Sequence, residues 1–390
     1  MSTLRLPRFA VPAILKSIEL SALVDLLRQE GGDYIANVVD LDAAPDAFDY
    51  DELALLLANP RDGYPDRLAD ALHHIHEVAD EHGLEAMLDQ MHARGIHLSV
   101  EPEDPTPADL AVRLWLLDPD LVETTHAERF ISRPKSFESW LGKGKGRERL
   151  PAPADAKLRA LEAAFDDYFE KRKRGRHSRV FVFTRPEATY FLIRHGMPMD
   201  RRGIIKDGES TSSFERPEKY DVVSYWPACD ELRVNASTKG EKALYRRQIG
   251  KHIFGDEDYF PDNGTGKFTL QPLVDLGRDA LACDDIEGID AITLQEIKLF
   301  FGGNAAEVVT RRAVGSDLFA VLEAQGRDLP RAPFQASFRV KFTGAKAART
   351  VRIKAPNVAM YTRESDEDVV SRWLTARGFV QDSASDEQAA

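Results

Sequence analysis

Cysteine is scarce in this chain: Cys229 and Cys283 are the two in 390 residues, and they form no CxxC pair. That excludes a disulfide framework and a thiolate zinc site. It also fits a reducing compartment, so the cytoplasm is the expected location. Long apolar runs are missing as well. None approaches the roughly 20 residues that span a bilayer, so no membrane partner is expected. Near the start, Arg5, Arg8 and Lys16 flank a short apolar run from Phe9 to Leu15. Pro12 breaks that run and Glu19 and Asp25 follow it, a poor fit to a secretory leader.

Several chemical signatures are absent. There is no GxSxG elbow and no HExxH. In Asp262-Asn263-Gly264-Thr265-Gly266-Lys267 the first Gly of a P-loop would fall at Pro261, and no Ser or Thr follows Lys267. Gly142-Lys143-Gly144-Lys145-Gly146 follows no predicted strand, so it is not expected to be a dinucleotide fingerprint. No cofactor is expected.

What is present suits a globular protein. Hydrophobic residues make up 43% and charged residues 30%, and the length accommodates two or three domains. The net charge of −13 is unevenly spread. Residues 1–130 hold 9 Lys and Arg against 26 Asp and Glu, and the remainder holds 43 against 39. An acidic third joined to a mildly basic remainder implies different partners for the two, or that each partners the other.

The acidic part reads as helices. Leu20, Leu23, Val24 and Leu27 recur at helical spacing, and Asp49 with Glu52 makes a capping-box-like start that runs to Pro60. Leu68, Leu72, Ile75 and Ala79 mark a third helix expected to close at Gly83, and a fourth spans 84–94. Thr106-Pro107 with Asp109 opens a fifth. Residues 142–155 read as an exposed linker, followed by an amphipathic helix carrying Leu158, Leu161, Phe165 and Phe169. From Arg179 the period switches to two. Strand, turn, strand and helix then recur over 292–325 and again over 338–376. The expected fold is α+β: an all-helical domain over 1–141, a basic linker and helix over 142–177, an antiparallel-sheet domain of β-hairpin-plus-helix units over 178–380 with helices on one face, and a disordered tail over 381–390.

Two basic constellations stand out. Along the last hairpin Phe338, Val340 and Phe342 alternate with Arg339 and Lys341, and Val351 and Ile353 alternate with Arg352 and Lys354, which predicts one apolar side and one side with four cations. Lys346 and Arg349 add charge at the turn. An anionic partner would relieve the repulsion, whether phosphate or carboxylates of the same chain. The second is Lys171, Arg172, Lys173, Arg174 and Arg176 at a helix C-terminus, where the helix dipole alone also favours cations. With Lys143, Lys145, Arg147 and Arg149 it could track a nucleic-acid backbone.

Tyr190-Phe191-Leu192-Ile193-Arg194-His195-Gly196 resembles the opening of the histidine phosphatase (phosphoglycerate mutase-like) family. The resemblance implies His195 as phosphoryl acceptor and Arg194 as phosphate clamp. It stops there: Phe300-Phe301-Gly302-Gly303 stands where a second His belongs, and His252 falls in a predicted helix. His195 is therefore read as a strand-end residue. Glu296-Ile297-Lys298, with Asp284, Asp285 and Asp290 upstream, is similar to the signature of the PD-(D/E)xK nuclease families, which implies Glu296 and Lys298 on one strand face at a metal ion. A surface ion pair is the other reading. His73 with Glu77, and His76 with Asp80, sit one helical turn apart near His82, but no further ligands follow at a recognisable spacing, so no metal is expected.

These features point to a non-catalytic nucleic-acid-associated or regulatory protein. Its basic C-terminal surface would take DNA or RNA, and its acidic helical domain would bind a protein partner or mask that surface. The alternatives are a metal-dependent nuclease at Glu296 and Lys298, and a protein–protein adaptor without a nucleic-acid role.

Overall fold

A computed structural model describes residues 11–59, 63–98, 105–144, 146, 149–206, 208–262, 266–302 and 307–381, and divides the chain into units Met1–Arg129 and Phe130–Ala390. Asn263, Gly264 and Thr265 of the glycine-containing segment, together with Lys145, Arg147, Gly303, Asn304 and residues 382–390 of the expected tail, lie outside the described residues.

The first unit is built of helices, including Leu20–Leu26, Tyr50–Ala58, Asp66–Val78, Glu81–Arg94, Pro107–Leu117 and Pro119–Glu128. Their ends follow local chemistry. Asp49 accepts from the Glu52 amide and Thr106 from the Asp109 amide, while Gly95 closes its helix at φ 65°. Leu68, Leu72 and Ile75 are fully buried among Leu23, Leu53 and Val112. Gly83 does not terminate a helix. Asp80 accepts from the Gly83 amide at 2.8 Å and starts the next helix there. A Cβ on Gly83 would fall 1.9 Å from the Val78 carbonyl oxygen, so glycine is required by close approach.

The second unit holds a ten-stranded antiparallel sheet, which makes the chain α+β as the sequence implies. Its strands are β1 (Ser136–Leu141), β2 (Arg179–Thr184), β3 (Thr189–Gly196), β6 (Glu218–Trp226), β7 (Glu231–Asn235), β8 (Ile289–Phe301), β9 (Glu307–Arg312), β10 (Gln335–Phe342), β11 (Arg349–Lys354) and β12 (Val358–Met360), in the order β2-β3-β6-β7-β1-β12-β11-β10-β8-β9. A separate hairpin pairs β4 (Asp200–Lys206) with β5 (Glu209–Glu215) and exposes Ile205 and Phe214. The sequence reading placed residues 130–141 with the helical part. In the structure they belong to the second unit, because β1 is the strand that joins β7 to β12.

Helices cover both faces of the sheet rather than one. On the first face, Trp140, Phe191, Val223, Leu232 and Val234 pack with Leu161, Phe165 and Phe169 of the Asp155–Glu170 helix and Tyr245 and Ile249 of the Lys239–Ile249 helix. On the second face, Ala336, Phe338, Val351, Ile353 and Ala359 pack with Val370, Trp373 and Leu374 of the Arg363–Ala376 helix. Each helix group serves one half of the sheet. The reason is in the strands: the buried parity of β3, β6 and β7 that meets the first helices is the opposite of the parity that β10 and β11 bury.

Candidate functional site

The last hairpin folds with the expected alternation. Phe338, Val340, Phe342, Val351 and Ile353 are buried, while Arg339 and Lys354 are exposed and Lys341 and Arg352 half-buried. Register places Ser337 between Glu296 and Arg352, and Gln335 between Lys298 and Lys354. Lys298 and Arg312 therefore join the same side from β8 and β9. Phe300 and Val308, opposite one another on those strands, expose their side chains by 50% and 55% beside them. Arg352 Nε donates to Ser337 Oγ at 3.0 Å, and Lys341 donates to the Ala345 carbonyl. Arg349 does not belong to this surface. It pairs with buried Asp366 on the other face, at 2.8 and 2.5 Å. Lys346 lies exposed in the turn.

The Lys171–Arg176 run is dispersed by its own fold. Arg174 reaches Glu241, which is 1% exposed, at 2.6 Å; Arg176 binds Asp167 and Glu170; Arg172 lies 3.5 Å from the centre of the Tyr168 ring. Lys173 takes φ 61° and its carbonyl accepts from Arg216. Lys171 and Lys173 remain exposed.

His195 is 1% exposed, stacked on Phe169 with ring centres 4.1 Å apart. Its Nε2 lies 3.1 Å from Asp221 Oδ2, which also accepts from Tyr245, and Lys219 Nζ lies 2.7 Å from Asp221 Oδ1. Burial opposes ionisation of Asp221, yet His195 and Lys219 hold it below the usual carboxylate range. Glu241 stands within metal-coordinating reach of this pair. Lys219 and Arg174, however, already supply the two positive charges that Asp221 and Glu241 need, so the group reads as a closed internal network.

Glu296 and Lys298 share a strand face, but the upstream acids go elsewhere: Asp285 binds Arg377, and Asp290 accepts from Thr343 at 2.6 Å. In the first unit His74 and His126 face each other, Nδ1 to Nδ1, at 3.1 Å, with His73 edge-on to both rings. The Gly142–Gly146 segment does follow a strand, β1, contrary to the sequence reading. Three of its amides are consumed internally: Gly142 donates to the Asp230 carbonyl, Lys143 to the Tyr259 carbonyl and Gly144 to the Asp230 carboxylate. Side chains at Gly144 and Gly146 would collide with the Tyr259 hydroxyl and the Ala228 carbonyl, 2.3 and 2.1 Å away.

Sequence reasoning missed a cavity of about 1340 Å³ on the sheet face that carries the Arg363–Ala376 helix. Tyr190, Ser224 and Arg233 form one cross-strand row in it, and Trp226 and Glu231 the next. Glu231 is wholly buried. Lys267 Nζ contacts both its oxygens at 2.8 and 2.7 Å, and Arg233 donates to it at 3.1 Å. Burial opposes its charge, but Arg233 and Lys267 drive its pKa far below the ordinary value. Arg233 also reaches Glu367 at 2.5 Å and lies 4.0 Å from the centre of the Trp226 ring, while Arg363 binds Glu367 in turn. These residues come from separate segments spread between positions 190 and 367, so no local motif announces them.

No protein-family model matches the chain, and no curated protein does. Among the described residues no helix is long and apolar enough to cross a membrane.

Proposed function

We propose that this chain binds nucleic acid, without base-specific readout, through the sheet face formed by β8 to β11. The observation that carries the reading is the row arrangement of Lys298, Arg312, Arg339, Lys341, Arg352 and Lys354 on one exposed side, with Glu296 as the carboxylate among them. Lysine and arginine on such a surface neutralise phosphates and release counterions, which gives affinity that falls steeply with salt. Half-exposed Phe300 adds a ring on which a base can stack. Strands spaced about 4.8 Å apart set the cations close enough that leaving them without an anion is mildly unfavourable. The acidic first unit is the regulatory part in this reading, taking a protein partner or competing for the basic surface.

The test is binding of labelled single- and double-stranded DNA and RNA to the full chain between 50 and 200 mM salt. Arg352→Glu with Lys354→Glu is expected to weaken binding at least about tenfold and to lower the salt slope by roughly two. Absence of binding at the lowest salt, or unchanged affinity in a double variant that melts like the parent, would sink the proposal.

A further inference from the structure

The cavity lies on the opposite side of the sheet from the basic rows, and its chemistry differs from theirs. Three cations, Arg233, Lys267 and Arg363, meet two carboxylates, Glu231 and Glu367, in its wall. All five are buried or half-buried, Arg233 to 6% exposure and Glu231 to 0%. The other charges around the opening are balanced: Lys143 by Asp256 at 2.8 Å, Asp368 by Arg372 at 3.2 Å, and Arg185 against Glu187 in number. Among the described residues one positive charge is left over in a wall largely withdrawn from water. An isolated surplus of that kind is costly unless an anion completes it.

Two further observations agree. Arg363 Nε is buried without a hydrogen-bond partner. Burial lowers the Lys267 pKa and the pull of Glu231 does not restore it, because Arg233 lies alongside. The same wall carries aromatic rings: Tyr190 on β3 shares a cross-strand row with Arg233, and Trp226 on β6, opposite Glu231, has Arg233 4.0 Å over its ring. The space exceeds the roughly 300–1,000 Å³ typical of drug-sized ligands.

We propose that this cavity is a binding site for a phosphate-bearing nucleotide unit, its ring against Tyr190, beside the Arg233-covered Trp226, and its phosphate toward Arg363 and Lys267. The unit can come from a free mononucleotide or from the phosphorylated end of a strand; both present the same ring and anion. The site is independent of the nucleic-acid surface proposed above, since none of the basic-row residues lines it.

The experiment is calorimetric titration of the full chain with nucleoside monophosphates, the matching nucleosides, inorganic phosphate, and a 5′-phosphorylated dinucleotide. Parent protein is compared with Tyr190→Ala and with Ser371→Trp, which places a ring in the opening from the Arg363–Ala376 helix, one turn after Glu367. A monophosphate or the dinucleotide is expected to bind at least about tenfold more tightly than either the nucleoside or phosphate alone. Tyr190→Ala should weaken that binding by roughly ten- to a hundredfold, the effect of losing one base–aromatic contact. Ser371→Trp should abolish it while the melting temperature stays near the parent's. A preference for the dinucleotide assigns the strand end as source, and a preference for the monophosphate assigns the free nucleotide. The proposal is overturned if no nucleotide binds at millimolar concentration, if phosphate alone binds as well, or if both variants bind like the parent. Double variant Arg352→Glu, Lys354→Glu should leave this titration unchanged, so failure here and failure of the sheet-face reading are separable.

Discussion

His195 and Asp221 face each other between β3 and β6, Nε2 to Oδ2 at 3.1 Å, and the carboxylate is shared with Tyr245 and Lys219. Removing it leaves the buried Lys219 ammonium with only the Glu241 carboxylate, already held by Arg174, and the Tyr245 hydroxyl without an acceptor. Asp221→Ala is expected to cost about 3–5 kcal/mol in denaturant unfolding. A loss under about 1 kcal/mol would show that water replaces the carboxylate.

Acid should weaken the second unit in a defined window. Asp221, Glu231, Glu241 and Glu367 are each opposed by burial but held below their ordinary values of 3.8 and 4.5 by neighbouring cations or hydrogen bonds. A carboxylate depressed in the folded state contributes stability above its unfolded pKa and loses it as pH falls through the folded one. Unfolding free energy should thus be nearly level from neutrality to about pH 5 and drop below about pH 4. A profile that falls between pH 7 and 5 would implicate histidines instead.

Arginines of one hairpin should behave in opposite ways. Arg349 compensates Asp366, which is 1% exposed, so Arg349→Ala is expected to destabilise by about 1–3 kcal/mol, discounted because the guanidinium is partly solvated. Exposed Arg339 should change stability by less than about 0.5 kcal/mol when replaced by alanine. Equal effects in thermal or urea melts would contradict the two placements.

Truncation tests the topology. A fragment starting at residue 151 lacks β1 and exposes the facing edges of β7 and β12, whereas one starting at 130 retains the strand. The shorter fragment is expected to aggregate on expression and the longer one to stay in solution. If both stay in solution with the same circular dichroism per residue, β1 is dispensable to the sheet.

Thiol labelling offers a further check. Although Cys229 keeps solvent exposure, desolvation of its thiol against the charged wall, with Glu231 nearby, pushes it up to about 11 from 9.0. Since the thiolate is the nucleophile, alkylation at pH 8 should run tens of times to about a hundredfold slower than for an unperturbed thiol. A rate matching free cysteine would place the side chain outside the charged wall.

Much of the architecture could be read locally. The alternation at Phe338, Val340 and Phe342 is a period of two that only a half-buried strand satisfies, and Asp49, Thr106 and Thr238 stand where helices begin. Misreadings came where local signals compete. Gly83 has the look of a terminator, yet Asp80 caps a helix that runs through it. Ser136–Leu141 is short and isolated, and the β4–β5 hairpin is mostly polar, so neither shows alternation. The cavity was beyond local reading because Tyr190, Arg233, Lys267 and Arg363 meet only once the strand order is known. Charge runs misled for the same reason: Arg174, Arg176 and Arg349 each have an acidic partner that no local pattern singles out.

Placing helices on opposite faces of one sheet turns the strands into a partition. The basic rows and the charged cavity open on its two sides and share no side chain, so a group bound at one does not compete for the residues of the other. Any communication between them must pass through the strands: β11 carries Arg352 and Lys354 on one side and is one strand, β12, away from β1, which lines the cavity with Phe137 on the other. A twist imposed from either side is felt on both.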